Sequence, residues 1–142
     1  MFRNLNNKYL KLFACIFLLV IIACSSPSIN NNARIEFNCS DHNFGIFPFR
    51  KEAEYSFQFT NPGKTPLVIF DVKTSCGCTV PEWSKKPAKP GMGGEIKVKY
   101  DAVFPGVFHK TITVHYNGKE SPVTLSIKGQ VEYPDDLEGA VE

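Results

Sequence analysis

Two cysteines separated by a single glycine, Cys76-Gly77-Cys78, are the residues of this 142-residue chain best suited to chemistry. Residues i and i+2 of an extended chain face the same side, so the two thiols stand together with nothing bulky between them. In a straight strand their Cα atoms would lie about 6.5 Å apart, the upper edge of what a disulfide spans. A bond between them therefore needs a bent backbone, and Gly77 supplies that freedom. Three chemistries are open to the pair. It can form a structural disulfide, either locally or through one bond to Cys39. Paired thiolates also suit soft ions such as Cu(I) or Zn²⁺, with His109 and His115 as weak candidates to complete a site. Third, the pair can exchange with other thiols, although it lacks the C-x-x-C at a helix start that lowers a thiol's pKa. An exported pair without a clear four-ligand set is more easily oxidised than metallated, so the expectation is oxidised cysteines, no metal and no cofactor.

Other reactive residue types have plainer readings. His109, Thr111, Thr113 and His115 share one face of a strand opposite Ile112 and Val114, which is the pattern of a solvated outer surface. Lys110 falls on the apolar side, so the parity calls for a bulge near Phe108 or a strand end there. Lys85, Lys86 and Lys89 read as a wet, Pro-broken loop, and Trp83 as a packed anchor. The chain contains no G-x-S-x-G, no H-E-x-x-H and no phosphate-binding glycine loop, so a noncatalytic protein is expected.

The elements that must position these residues are strands. From Arg34 onward, short alternating runs are separated by turn residues, and no helical stripe of any length occurs. Ile35 and Phe37 alternate, Phe44 and Ile46 follow around Gly45, and Tyr55, Phe57 and Phe59 share a face up to Asn61-Pro62-Gly63. Leu67 to Val72 is more continuously apolar, as expected of a central strand covered on both sides. Ile96, Val98 and Tyr100 alternate, as do Ile112, Val114 and Tyr116. Asn117-Gly118 then predicts a tight hairpin to Val123, Leu125 and Ile127. The predicted fold is an all-β, immunoglobulin-like antiparallel sandwich of about seven strands over residues 34–133, followed by an acidic tail over 134–142.

A different kind of segment precedes these strands. Arg3, Lys8 and Lys11 make a positive start, and Leu12 to Ala23 is an unbroken apolar run. A dozen residues suit a signal peptide, whereas a membrane span needs about 20. Plain secretory signals and uncleaved anchors share part of this pattern. Ile21-Ile22-Ala23-Cys24 resembles the lipobox of bacterial lipoproteins, which implies cleavage after residue 23 and lipid on Cys24. Acyl burial contributes about 0.8 kcal/mol per CH₂, so two or three chains would hold the protein on a membrane. Residues 24–33 are small and polar and read as a flexible tether. Ser25, rather than Asp, after the Cys favours the outer membrane by the same resemblance, and the lack of an acidic run there favours its periplasmic leaflet. The formal charge is +2 for the whole chain and −1 once the three leader cations are removed. Nucleic acid is therefore not an expected partner.

Several of these residues together resemble one family. Phe44-Gly45-Ile46, Phe57 to Leu67, Ser75-Cys76-Gly77-Cys78-Thr79, Pro81-Glu82-Trp83, Pro90-Gly91 and His109 to Val114 are similar to the bacterial immunoglobulin-like domain of unknown function fifteen-seventy-three. That family is akin to major sperm protein and Hydin-type modules. The likeness runs from about Phe37 to Val131 and implies a sandwich fold and export, often as a lipoprotein. No activity comes with it. The sequence thus leads to a lipid-anchored envelope protein whose noncatalytic domain binds another envelope protein. Its alternative is a thiol-redox or soft-metal-handling protein that uses Cys76 and Cys78.

Overall fold

A strand that is apolar on alternate residues must bury one face against a second sheet, and here two sets of four strands do so. The computed structural model describes residues 32–134; the leader, Cys24 and most of the tether and acidic tail lie outside the described residues. The strands are β1 (Glu36–Phe37), β2 (Asp41–Phe47), β3 (Ala53–Thr60), β4 (Ile69–Thr74), β5 (Thr79–Trp83), β6 (Gly93–Tyr100), β7 (Gly106–Tyr116) and β8 (Val123–Val131). One sheet runs β1-β3-β6-β5 and the other β2-β8-β7-β4. Phe57, Ile96, Val98, Ile112, Val114, Leu125, Ile127 and Val131 are fully buried between them. Tyr100 and Phe108 stack across the interface with ring centroids 3.9 Å apart. The outer face of the first sheet is charged: Lys99 bridges Glu54 at 3.5 Å and Glu82 at 3.4 Å across three strands.

The pairing defines two ends. Ala33 and Asn32 bridge Gly118, so the chain enters beside the β7–β8 connection, at what is here termed the near end. β7 runs from the far end back to it, over about 35 Å at strand rise. The near end is tied by Asn61, which is completely buried. Its Nδ2 donates to the carbonyls of Thr65 and Ala88, both at 2.9 Å, and its Oδ1 accepts from Gly63 N at 3.0 Å and Arg34 N at 3.4 Å. One carboxamide thereby joins the chain entry, the β3–β4 loop and the β5–β6 loop.

Several expectations need correction. The described residues form eight strands, the seven expected runs and one not foreseen, β5, while the path through β1 and β2 changes sheet at Asn38–Ser40. β2 runs parallel to β8, so the second sheet is mixed. Leu67 to Val72 is not a central strand: β4 lies at a sheet edge, its register breaks between Ile69 and Asp71, and the break turns Phe70 out to solvent. Ile46 is likewise exposed, because β2 bulges between Asn43 and Ile46, where Gly45 takes the left-handed φ of 71°. Lys110 needs no bulge, since the β7–β8 register is continuous from Gly106 to Val114, and the residue sits half-buried on the inward side. Asn117-Gly118 does not make a two-residue turn. The Asn117 side chain instead accepts from Val68 N at 2.8 Å and donates to Pro66 O at 2.9 Å, stitching two loops together. Ala33, assigned to the tether, is buried and belongs to the domain.

Phe57→Ala is expected to lower unfolding free energy by about 3–5 kcal/mol in urea titrations, as for other buried phenylalanines. Asn61→Ala should cost at least about 2 kcal/mol, because it strands several buried backbone groups at once. A loss below about 1 kcal/mol for Asn61→Ala would show that water replaces its bonds.

Candidate functional site

The cysteine pair sits where β4 leaves its sheet. β4 pairs with β7 only as far as Thr74 opposite Ile112. At the next position the N–H of Ser75 donates to Thr111 O at 3.0 Å, and Thr111 N donates to Ser75 Oγ at 3.1 Å. The chain then turns across to start β5 at Thr79, opposite Tyr100. Cys76 and Cys78 are joined by a disulfide inside this turn, with Cα atoms 5.3 Å apart, shorter than the extended spacing. The turn is held independently of that bond. Thr74 Oγ1 lies 2.9 Å from Cys76 O and 3.1 Å from Thr79 O, and Asp101 N donates to Cys78 O at 2.9 Å. Both cysteines are half-buried and Gly77 is exposed. Cys76 Sγ is 3.5 Å from the hydroxyl of buried Thr79. A disulfide sulfur has no proton, so the hydroxyl is the donor.

Because β4 departs at Ser75, the far half of β7 loses its neighbour on that side. Alternate residues of an antiparallel strand direct both N–H and C=O to the same neighbour. Thr111 directs both of its groups to Ser75, so His109 and Val107 direct theirs the same way, where no strand of the described residues runs. Exposed apolar side chains lie on and near this open ledge: Val107 on it, Phe104 in the turn before β7, and Ile46 across β8 on β2. Val107 is 84% exposed, Phe104 70% and Ile46 67%. Ile46 and Val107 both lie opposite Gln130, on one rung of the outer face.

The family model described as "Protein of unknown function (DUF1573)" matches residues 35–131. The chain belongs to this DUF1573 family. No curated protein matches it. Among solved structures, the DUF1573 chain is similar to a protein of unknown function from Porphyromonas gingivalis W83. They share 17% identity and a TM-score of 0.61 over 77% of this chain and 51% of that one. It is also similar to PapD-like domain 7 of human CEP192, at 8% identity and a TM-score of 0.58, over 80% of this chain and 94% of that one. The Vibrio cholerae VesB protease aligns at 16% identity and a TM-score of 0.54, over 72% of this chain but only 32% of the protease. Identities this low establish the β-sandwich fold alone. The DUF1573 chain spans about half of the Porphyromonas protein.

The remaining candidate residues are scattered. Cys39 follows β1 at one lateral edge of the sandwich, whereas Cys76 and Cys78 lie between β4 and β5 at the other, so a bond from Cys39 to the pair is geometrically closed. The Cys39 thiol lies 3.2 Å from Tyr55 Oη, and His42 stacks on the Tyr55 ring at 3.6 Å. That hydrogen bond, reinforced by burial, raises the Tyr55 phenol above its ordinary range. His109 and His115 lie on the outer face of β7, six residues apart, and no group of three or more His, Cys, Asp or Glu gathers at metal-binding distance among the described residues. Trp83 Nε1 donates to Ile69 O at 3.2 Å, which ties β5 to β4, and Lys85 lies over its ring, 3.3 Å from the centroid. The open ledge escaped the sequence reading altogether. Its one visible signal is Phe104 before Pro105-Gly106, a large apolar residue where a turn is expected.

Two outcomes follow from this geometry. Closing a three-residue loop removes only about 1.6 kcal/mol of unfolded-chain entropy, against about 3 for a 15-residue loop. The double variant Cys76→Ser with Cys78→Ser should therefore keep its fold and lose less than about 2 kcal/mol; a loss as large as that from Phe57→Ala would make the bond a principal staple. Burial holds His42 below the ordinary imidazole value, with Asp41 opposing in part. A folded-state pKa below the unfolded one, about 6.5, gives stability that is complete above pH 6.5 and declines as pH falls through the folded value. Denaturation midpoints measured from pH 7 down to pH 4 should drop, and His42→Phe should flatten that part of the slope.

Proposed function

We propose that this DUF1573 protein is a lipoprotein, anchored through Cys24 to the bacterial envelope and facing the periplasm from the outer membrane. It presents a noncatalytic sandwich that holds an envelope protein by adding a strand to β7. The open ledge at Val107 and His109 carries this reading. Unpaired backbone groups beside exposed apolar side chains are what edge-strand addition requires, the backbone supplying affinity and the flanking side chains selectivity. The other sheet edges are less inviting. β5 carries Pro81 in its middle, which lacks an N–H, β1 is only two residues long, and β2 and β4 are each broken by a register shift. Chain entry supports the orientation: a tether ending at Asn32 leaves the near end, and the far half of β7 then points away from the bilayer. At about 5–6 Å × √n, a tether of the nine residues from Cys24 to Asn32 would keep the domain on the order of 15–20 Å from the lipid. Nucleic acid fits poorly with the mature charge of −1.

Cys24→Ala should release the protein from washed membranes or stall its processing; continued membrane association after a high-salt wash would exclude the lipid anchor. Val107→Lys, at an 84% exposed position, should change stability by no more than about 0.5 kcal/mol. After mild crosslinking in native membranes it should also reduce the recovered partner several-fold, since an edge lysine blocks strand pairing. Undiminished recovery would remove the ledge as the binding surface.

A further inference from the structure

We propose that the Cys76–Cys78 disulfide is a thiol–disulfide exchange site that accepts two electrons from a dithiol protein docked along the β7 ledge. As a staple the bond is weak. It spans three residues, and the turn that contains it is already fixed through Ser75, Thr74 and Cys78 O, none of which uses sulfur. As a reactive group it is well placed. The cysteines are half-buried rather than sealed in the core, Gly77 between them is exposed, and a Cβ built on Gly77 would meet no atom within 4 Å apart from the two cysteines themselves. An incoming thiol therefore has open space beside the ring. The turn also begins at the residue where β7 loses its neighbour, so a chain paired to Val107 and His109 would end beside it.

The two sulfurs are not equivalent. The Thr79 hydroxyl lies 3.5 Å from Cys76 Sγ and stabilises negative charge there, which makes Cys76 the better leaving group. The partner's thiolate accordingly attacks Cys78 Sγ. An S–S bond forms between partner and Cys78, the Cys76–Cys78 bond breaks, and Cys76 departs as a thiolate. The partner's second thiolate then attacks its own sulfur in the mixed disulfide and expels Cys78. The partner leaves as a disulfide, and both cysteines take up protons, so two electrons and two protons have moved from partner to site.

This inference rests on the proposed function for the export that supplies oxidised protein and for the ledge that docks the partner. Purified full-length chain, solubilised with its lipid, is treated with dithiothreitol as the dithiol while Trp83 fluorescence reports the fold. The disulfide should be reduced with fluorescence unchanged, at a rate proportional to dithiothreitol and constant across sub-denaturing urea. Reduction that proceeds only in step with unfolding overturns the proposal. With reduced glutathione and acid quenching, peptide mapping should place the mixed disulfide several-fold more often on Cys78 than on Cys76; equal labelling, or preference for Cys76, overturns the assigned direction of attack. In cells, Cys76→Ser in a Cys39→Ser background should accumulate a reducible adduct at Cys78, formed in the reverse direction when the Cys78 thiolate attacks the partner's disulfide and releases its other thiolate, several-fold above the corresponding Cys78→Ser variant. An inert disulfide would end the exchange proposal and leave anchoring and partner capture standing. Loss of the anchor would leave exchange standing, whereas loss of Val107-dependent capture would overturn docking along the ledge in both readings.

Discussion

The carboxamide of Asn61 is the constraint around which the near end of this domain is organised. A buried amide with unmet bonds is costly, and a fully bonded one fixes each group it touches. Asn61 satisfies both donors and its acceptor oxygen with backbone groups from three separate segments, and its own N–H and C=O bond Met92 O and Gly91 N. Loops that would otherwise drift are locked to the end of β3. The chain enters through this knot at Arg34, so β1 starts in register with β3 and the following residues must cross to the other sheet to continue as β2.

That crossing accounts for much of the architecture. A strand path that changes sheet closes one lateral side of the sandwich, with β1 against β3 and β2 parallel to β8. On the opposite side, β4 and β5 make the reciprocal crossing, and the turn between them holds Cys76 and Cys78. The two sides differ in how completely they are closed. At the first, His42, Phe44 and Phe47 pack aromatic rings into the opening beside Tyr55, Tyr100 and Phe108. At the second, β4 leaves early and β7 is left with a bare edge. Natural sheets normally blunt such edges with charge, proline or brevity. β5 and β1 follow that rule, and β2 and β4 are interrupted by bulges; the far half of β7 carries Val107 instead. An exception to a rule that protects against aggregation is a functional signal, since its cost must be offset by a use.

The fold was legible in the sequence wherever a strand pairs on both edges and alternates without interruption. Ile96, Val98 and Tyr100, and Ile112, Val114 and Tyr116, read directly as inward faces because their period of two survives intact. It failed at bulges. A bulge inserts one residue and reverses the parity of all that follows, so Ile46 and Phe70 read as core and stand in solvent. Apolar continuity in Leu67 to Val72 was equally ambiguous: burial on both faces and an irregular edge that serves each face in turn produce the same string. Asn117 illustrates a different limit, because a residue type suited to a tight turn is also suited to bonding two loops, and only tertiary contacts decide between them. The cysteine pair was visible as a motif, but the ledge beside it depends on where β4 ends, and strand ends are set by long-range pairing.

The separation of the thiols completes the physical picture. Had Cys39 been bonded to Cys76 or Cys78, the resulting loop of nearly forty residues would have constrained the unfolded chain strongly, in the manner of a secreted staple. Instead Cys39, the one other cysteine among the described residues, is held as a thiol against Tyr55 at the opposite lateral edge, and the bond that exists closes only three residues. Stability here comes from the interdigitated sandwich core and the Asn61 knot, which need no sulfur. The disulfide is thereby freed from structural duty, and a bond that can be opened without unfolding its host is the only kind suited to repeated chemistry.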